Sequence, residues 1–240
     1  MTVFVLLVGL TLVVAAGAYV QASIGFGLNL LLVPFALLLA PHVVPLPALV
    51  VNGAVSALVA RTDRGHLDRR LLWLLTVTGL PGVVLGVFLS TIIGARPLAV
   101  CGGVFVLVAV ALSVHEPVVR ARPATVGVAG FAAGLLASTT ALTGPPVALA
   151  LGAEPPARRR AAVAASGAVL TALTLACGAI AHPTALSTLR WLPVLIPGAA
   201  LGLFAAHRSP DAIPPTTQRV ATLGVSAAAA LLLLTRALLG

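Results

Sequence analysis

The sequence predicts an all-α integral membrane protein: a polytopic helical bundle of about 8–10 transmembrane segments, built from two inverted-topology repeats with broken or re-entrant helices. Three observations predict it. Of the 240 residues, 60% are hydrophobic and only 8% are charged, and mean hydropathy is +1.16, beyond the range of soluble domains. The apolar runs are continuous over about 17–22 residues, the length a helix needs to cross lipid, and do not alternate as the strands of a barrel do. Finally, stretches of the first half return in the second half with the charge of the flanking loops exchanged.

In chain order, candidate helices fall at 3–20, 24–40, 43–60, 71–91, 97–114, 125–141, 143–153, 161–181, 188–206 and 218–238. The first has the apolar core of a signal peptide but no basic segment before it, and further spans follow at once, so it reads as a helix that stays. The second contains two glycines, an asparagine and a proline within Ser23–Pro34, SIGFGLNLLLVP. Lipid offers no partner to a freed backbone group, so such an interruption needs a reason. The seventh is too short to span and is also interrupted, within ASTTALTGPPVAL.

The repeat is explicit. LPGVVLGVF at 80–88 returns as IPGAALGLF at 196–204, an offset of 197 − 81 = 116. NGAV from Asn52 returns as SGAV from Ser166, and Trp73 as Trp191, at nearly the same offset. The chain therefore divides into a first transmembrane repeat, 1–116, and a second, 117–240, within one transmembrane domain. The arginines invert. RTDRGHLDRR at 61–70 has four and its counterpart near 177–190 only Arg190, whereas EPPARRR at 154–160 has three and its counterpart near residue 41 none. With five segments per repeat and the N-terminus outside, eleven arginines fall in inner loops and three do not, as the positive-inside rule requires.

Inverted repeats place a transport site at their interface, between discontinuous helices. At offset 116, Gly25-Phe26-Gly27-Leu28-Asn29 falls on Ala141-Leu142-Thr143-Gly144-Pro145, so the two interruptions correspond. Gly25 and Gly27 permit a break that leaves the amides of a following half-helix free, and a helix N-terminus favours anions. The candidate substrate-binding residues are Gln21, Ser23, Gly25, Gly27 and Asn29 at the first break, Asn52 on the next helix, Thr139, Thr140, Thr143 and Gly144 at the second break, and Ser166 opposite Asn52 in the repeat. Each has a structural alternative. A buried Asn amide needs partners in any case, and Ser and Thr hydroxyls bond their own helix. GAVLTALTLACGA and the PGxxxG pair read as helix packing.

Taken together, QASIGFGLNLLLVP, RGHLDRRLLWLLTVTGLPGVVLG, GLLASTTALTGPP and LPVLIPGAALG resemble the TauE/SafE family, the sulfite exporter or TSUP anion transporter group of bacterial membrane proteins. The resemblance covers nearly the whole chain. The second break departs from the family's glycine-richer GxGGPP. The resemblance implies a secondary transporter in the bacterial plasma membrane that moves small sulfur-containing anions, sulfite or organosulfonates, usually outward.

The remaining inventory fits transport better than its rivals. All five acids are assigned to loops, so no intramembrane carboxylate carries a proton or sodium, and a potential-driven path is expected. The five histidines fall at span ends or loops. Neither a metal nor another cofactor is expected, and Cys101 and Cys177 read as isolated packing thiols. A net charge of +9 without a solvated basic face excludes nucleic acid as a partner, leaving the bilayer and a small anionic substrate. The oligomeric state is open. An intramembrane enzyme would want a base near Ser23 or Thr140, and none is present. A drug/metabolite-type 5+5 carrier for another small metabolite and a non-transporting scaffold remain as alternatives.

Overall fold

The computed structural model describes residues 2–40, 43–93, 121–209 and 214–239, with isolated helical positions between 97 and 111. Most of the segment predicted at 97–114 thus lies outside the described residues. The described residues are all-helical, with α1 (Thr2–Ile24), α2 (Leu28–Leu39), α3 (Leu46–Thr62), α4 (Arg69–Ile92), α5 (Pro123–Thr140), α6 (Gly144–Ala150), α7 (Pro156–Ala181), α8 (Leu192–Arg208) and α9 (Pro215–Leu239). Short 3-10 turns, Arg64–His66 and Pro183–Trp191, precede α4 and α8. Among the described residues, five segments are long and apolar enough to cross a membrane: Leu7–Ile24, Arg69–Ile92, Pro123–Thr140, Pro156–Ala181 and Thr184–Arg208.

The helices end where local chemistry dictates. Asp68 caps α4, its carboxylate accepting from the amides of Arg70 and Leu71 at 2.8 and 3.2 Å. Proline opens α5 and α7, where its missing N–H costs nothing. The expected first break inside the second segment is instead a reversal between two helices. Helix α1 continues to Ile24, and the chain turns at Gly25 and Gly27, whose φ angles of 93° and 142° suit glycine alone. Helix α2 then packs back on α1: a Cβ on Gly17 would stand 2.8 Å from the Leu28 Cα. At 12 and 7 residues, α2 and α6 are about 18 and 10 Å long, short of the roughly 30 Å hydrocarbon core.

Packing is reciprocal between the halves. Gly79, Gly82 and Gly86 of α4 press on Gly130, Phe131, Gly134 and Leu135 of α5, so tightly that a Cβ at Gly82 would strike the Phe131 carbonyl oxygen. Gly198 and Gly202 of α8 press in the same way on Thr11, Val14 and Ala15 of α1. In both pairs the contacts advance together along the two helices, which therefore run parallel. The PGxxxG stretches are thus seams of close backbone approach. Helices α3 and α7 face each other antiparallel, with Gly53 against Thr171, Ser56 against Gly167 and Asp63 against Arg160. An apolar core of Leu10, Val14, Leu28, Leu32, Val51, Val55 and Leu195 binds α1, α2, α3 and α8, and a second of Leu75, Val83, Val147, Val163 and Leu170 binds α4, α6 and α7.

These pairings segregate the charge. The α3 C-terminus and the N-termini of α4 and α7 are tied by the ion pairs Asp63–Arg160 and Asp68–Arg158. The parallel run of α4 and α5 puts Arg122 at that end too, and Tyr19 Oη donates to the Ser209 carbonyl at 3.2 Å, which adds the α8 C-terminus and Arg208. The opposite end holds the C-termini of α4 and α7, joined by Ser90 and His182 at 3.1 Å.

Candidate functional site

The two breaks meet. Asn29 Nδ2 donates to the Ala141 carbonyl at 2.6 Å, and Phe26 lies so close to Gly144 that no side chain fits there. Ala141 holds a left-handed conformation, φ 61° and ψ 18°, at the position that corresponds to Gly25. Between the breaks lies a cavity of ≈ 10 Å³, room for about one water. Its lining includes Gln21, Gly25, Gly27, Asn29, Asn52, Thr143 and Gly144 of the sequence-predicted residues, together with Phe26, Leu30, Ser56, Leu142, Pro145 and Val163.

Gln21, 2% exposed, is fully employed in holding this geometry. Its Nε2 donates to Ser56 Oγ at 2.8 Å and to the Asn52 carbonyl at 3.4 Å, while its Oε1 accepts from the Leu28 amide at 3.1 Å. One side chain thereby ties α1, α3 and the start of α2. Leu28 has the first of the amides that lack an intrahelical acceptor and those of Asn29 and Leu30 follow, both of them residues that line the cavity. Among the residues that line the cavity, two buried side-chain groups have no partner: Asn29 Oδ1 and Asn52 Nδ2. An unpaired buried amide costs about 1–3 kcal/mol, and native structures keep few of them. The cavity is thus lined by hydrogen-bonding capacity that the protein itself leaves unused.

Ser23, Thr139, Thr140 and Ser166 do not line the cavity. Their hydroxyls donate to Tyr19, Leu135, Leu136 and Val163 on their own helices, at 2.9, 2.9, 3.0 and 3.2 Å. Where α7 passes the cavity it presents Gly167, with Thr143 Oγ1 and Ser56 Oγ against it. Ser56 is the polar residue that sequence reasoning missed. It lies four residues after Asn52, on the same face of α3, and that spacing was its available signal.

Toward the arginine-rich end, next to the first break, Asp63 and Arg160 form an ion pair. Asp63, assigned to a loop by sequence, is the C-cap of α3 and only 6% exposed. Arg160 holds it through two bonds, Nε to Oδ2 at 2.5 Å and Nη2 to Oδ1 at 2.8 Å, and reaches the Ser23 carbonyl at 3.4 Å. Its backbone packs on Gly25, so the pair spans the ends of α1, α3 and α7 directly below the first break. Among the described residues no cluster of His, Cys, Asp and Glu could hold a metal ion.

The sequence model of the family described as Sulfite exporter TauE/SafE matches residues 10–233, and the chain belongs to that family. It is a multi-pass membrane transport protein. No curated protein and no solved structure shows a match to the chain.

Proposed function

From this membership of the sulfite exporter family we propose that the chain exports sulfite or organosulfonate-type anions across the bacterial plasma membrane, through a site formed where its two helix breaks meet. The observation that carries the reading is the cavity between breaks about 116 residues apart, lined by Asn29 and Leu30 in the first turn of α2 and by Asn52, whose Nδ2 is buried without a partner. These donors, with the hydroxyls of Thr143 and Ser56, replace the hydration of an oxyanion without a fixed positive charge to trap it. Asn29 Oδ1 accepts from a bound water or from the hydroxyl of a protonated oxyanion.

The reciprocal pairing of α1 with α8 and α4 with α5 supports two inverted repeats, 1–116 and 117–240, with α2 and α6 as re-entrant half-helices. The arginine-rich end is the cytoplasmic one under the positive-inside rule, which puts the N-terminus outside. A cavity with room for one water must widen to admit an oxyanion, and this reading makes the Asp63–Arg160 pair the inner gate. Asp63 is committed to Arg160, so among the described residues no free carboxylate borders the site to carry a coupling proton. An anion leaving a negative-inside cell gains about 2.3 kcal/mol per charge at ~100 mV, enough to drive export.

The test is sulfite efflux from proteoliposomes under an imposed potential. Wild-type flux should follow the potential after a pH gradient is collapsed, and Asn29→Leu, which frees the Ala141 carbonyl and blocks the cavity, should lower it at least tenfold. Flux that needs a proton gradient would reject the uncoupled mechanism, and equal flux in Asn29→Leu would move the site elsewhere.

A further inference from the structure

Above the site, at the His182 end, a second and larger cavity of ≈ 330 Å³ opens between α3, α4, α5 and α7. Leu49, Val87, Ser138, Thr174, Gly178 and His182 are among the residues that line it. Its position relative to the inter-break cavity is set by α3 and α7, which border both. Along α3, Leu49 faces the upper cavity, and Asn52 and Ser56 the lower. Along α7, Val163 lines the lower cavity, Gly167 one turn on meets Thr143 and Ser56 of its lining, Thr171 meets Gly53, and Thr174 and Gly178 line the upper one.

Residues 167, 171, 174 and 178 recur at helical spacing, so a single face of α7 runs from one cavity to the other. This is the GAVLTALTLACGA stretch, read from sequence as packing. Packing alone does not explain its hydroxyls. Thr171 is 1% exposed and its Oγ1 has no partner, although a threonine in a helix ordinarily bonds the turn before it, as Ser138 does to Gly134 at 3.1 Å. Thr174 Oγ1 has only a long contact, 3.4 Å, with Ser138 Oγ. Above them Ser90 and His182 meet at the cavity mouth.

We propose that the upper cavity is the exit vestibule of the anion path, and that the α7 face bearing Thr171 and Thr174 is the lane by which a small oxyanion passes from the inter-break site to the His182 end. The proposal rests on the anion-transport reading for its ligand class and on the two cavities and the orphan hydroxyl for its route. Thr171 Oγ1 donates to the anion at the constriction between the cavities, and Thr174 with Ser138 receives it in the vestibule.

Two readouts test the route. In a Cys101→Ser, Cys177→Ser background, Thr174→Cys should react with a membrane-impermeant maleimide added from the His182 side only, and an alkanesulfonate, which is inert to maleimide, should slow the reaction at least threefold. Separately, Thr171→Val should reduce potential-driven anion flux at least tenfold, while Thr171→Ser retains it. A Thr174→Cys that stays unlabelled while Ala185→Cys at the cavity mouth labels, in protein that elutes as folded, would overturn the route. So would wild-type flux in Thr171→Val. If the wild type moves no sulfur oxyanion but Thr174→Cys still labels from the His182 side, the substrate reading fails and the vestibule stands.

Discussion

If Asn52 binds the anion as proposed, it is the residue at which stability and function separate. Its Nδ2 is buried without a partner, so the folded state bears a desolvation cost of about 1–3 kcal/mol for a group that helps no neighbour. Asn52→Leu should therefore leave the thermal midpoint in detergent unchanged or raise it, while anion flux falls at least tenfold. A large loss of stability with flux per folded protein preserved would make Asn52 a packing residue. Asp68 is the opposite case, a purely structural side chain. The Leu71 amide, then the Arg158 guanidinium, holds its carboxyl below the usual carboxylate range, so its stabilisation is present at neutral pH and lost as pH falls through its lowered folded-state value. Asp68→Ala should cost about 1 kcal/mol at pH 7, a shift of roughly 2–4 °C in thermal midpoint, and the difference from wild type should vanish in acid.

Among the elements, the breaks show what a sequence displays and what it hides. Their existence was legible: Gly25, Gly27 and Asn29 in the first, Thr143, Gly144 and Pro145 in the second, at a common offset. Their form was not, because a glycine between apolar residues is consistent with a bent span or a reversal, and only the packing of Leu28 on Gly17 decides between them. Hydroxyls misled for a related reason. Ser23, Thr139, Thr140 and Ser166 are as polar as Ser56 and Thr143, but each bonds its own helix, a choice set by rotamer and neighbours rather than by residue type. The second break also keeps a left-handed residue where its glycine is gone. Ala141 there costs about 1–2 kcal/mol over glycine, against about 0.4–1 kcal/mol of entropy that glycine would return to the unfolded chain. Ala141→Gly should thus stabilise the protein by roughly 0.5–1 kcal/mol, read as a higher thermal midpoint. A fall instead would mean that the Ala141 methyl packs in the core around Val33 and Leu49 more strongly than its backbone is strained.

At the scale of the molecule, the parallel seams of α4 with α5 and α1 with α8 bring glycines against backbone, whereas the α3–α7 seam borders both cavities and holds the unpartnered Asn52 Nδ2 and Thr171 Oγ1. Interfaces packed backbone to backbone move as units, so on the proposed reading the widening that admits an anion falls to the α3–α7 seam, where side chains rather than backbones meet. A Cβ on Gly167 would lie 3.8 Å from that of Ser56, within the range a disulfide spans. Ser56→Cys with Gly167→Cys, in a background without Cys101 and Cys177, should therefore close a bond across the inter-break cavity and stop transport, with flux returning on reduction. The substrate in this test must be an alkanesulfonate, because sulfite itself cleaves disulfides. Oxidised protein that transports at the wild-type rate would show that α3 and α7 keep their spacing through the cycle. The anion would then have to enter between the two half-helices, with the movement assigned to α2 and α6.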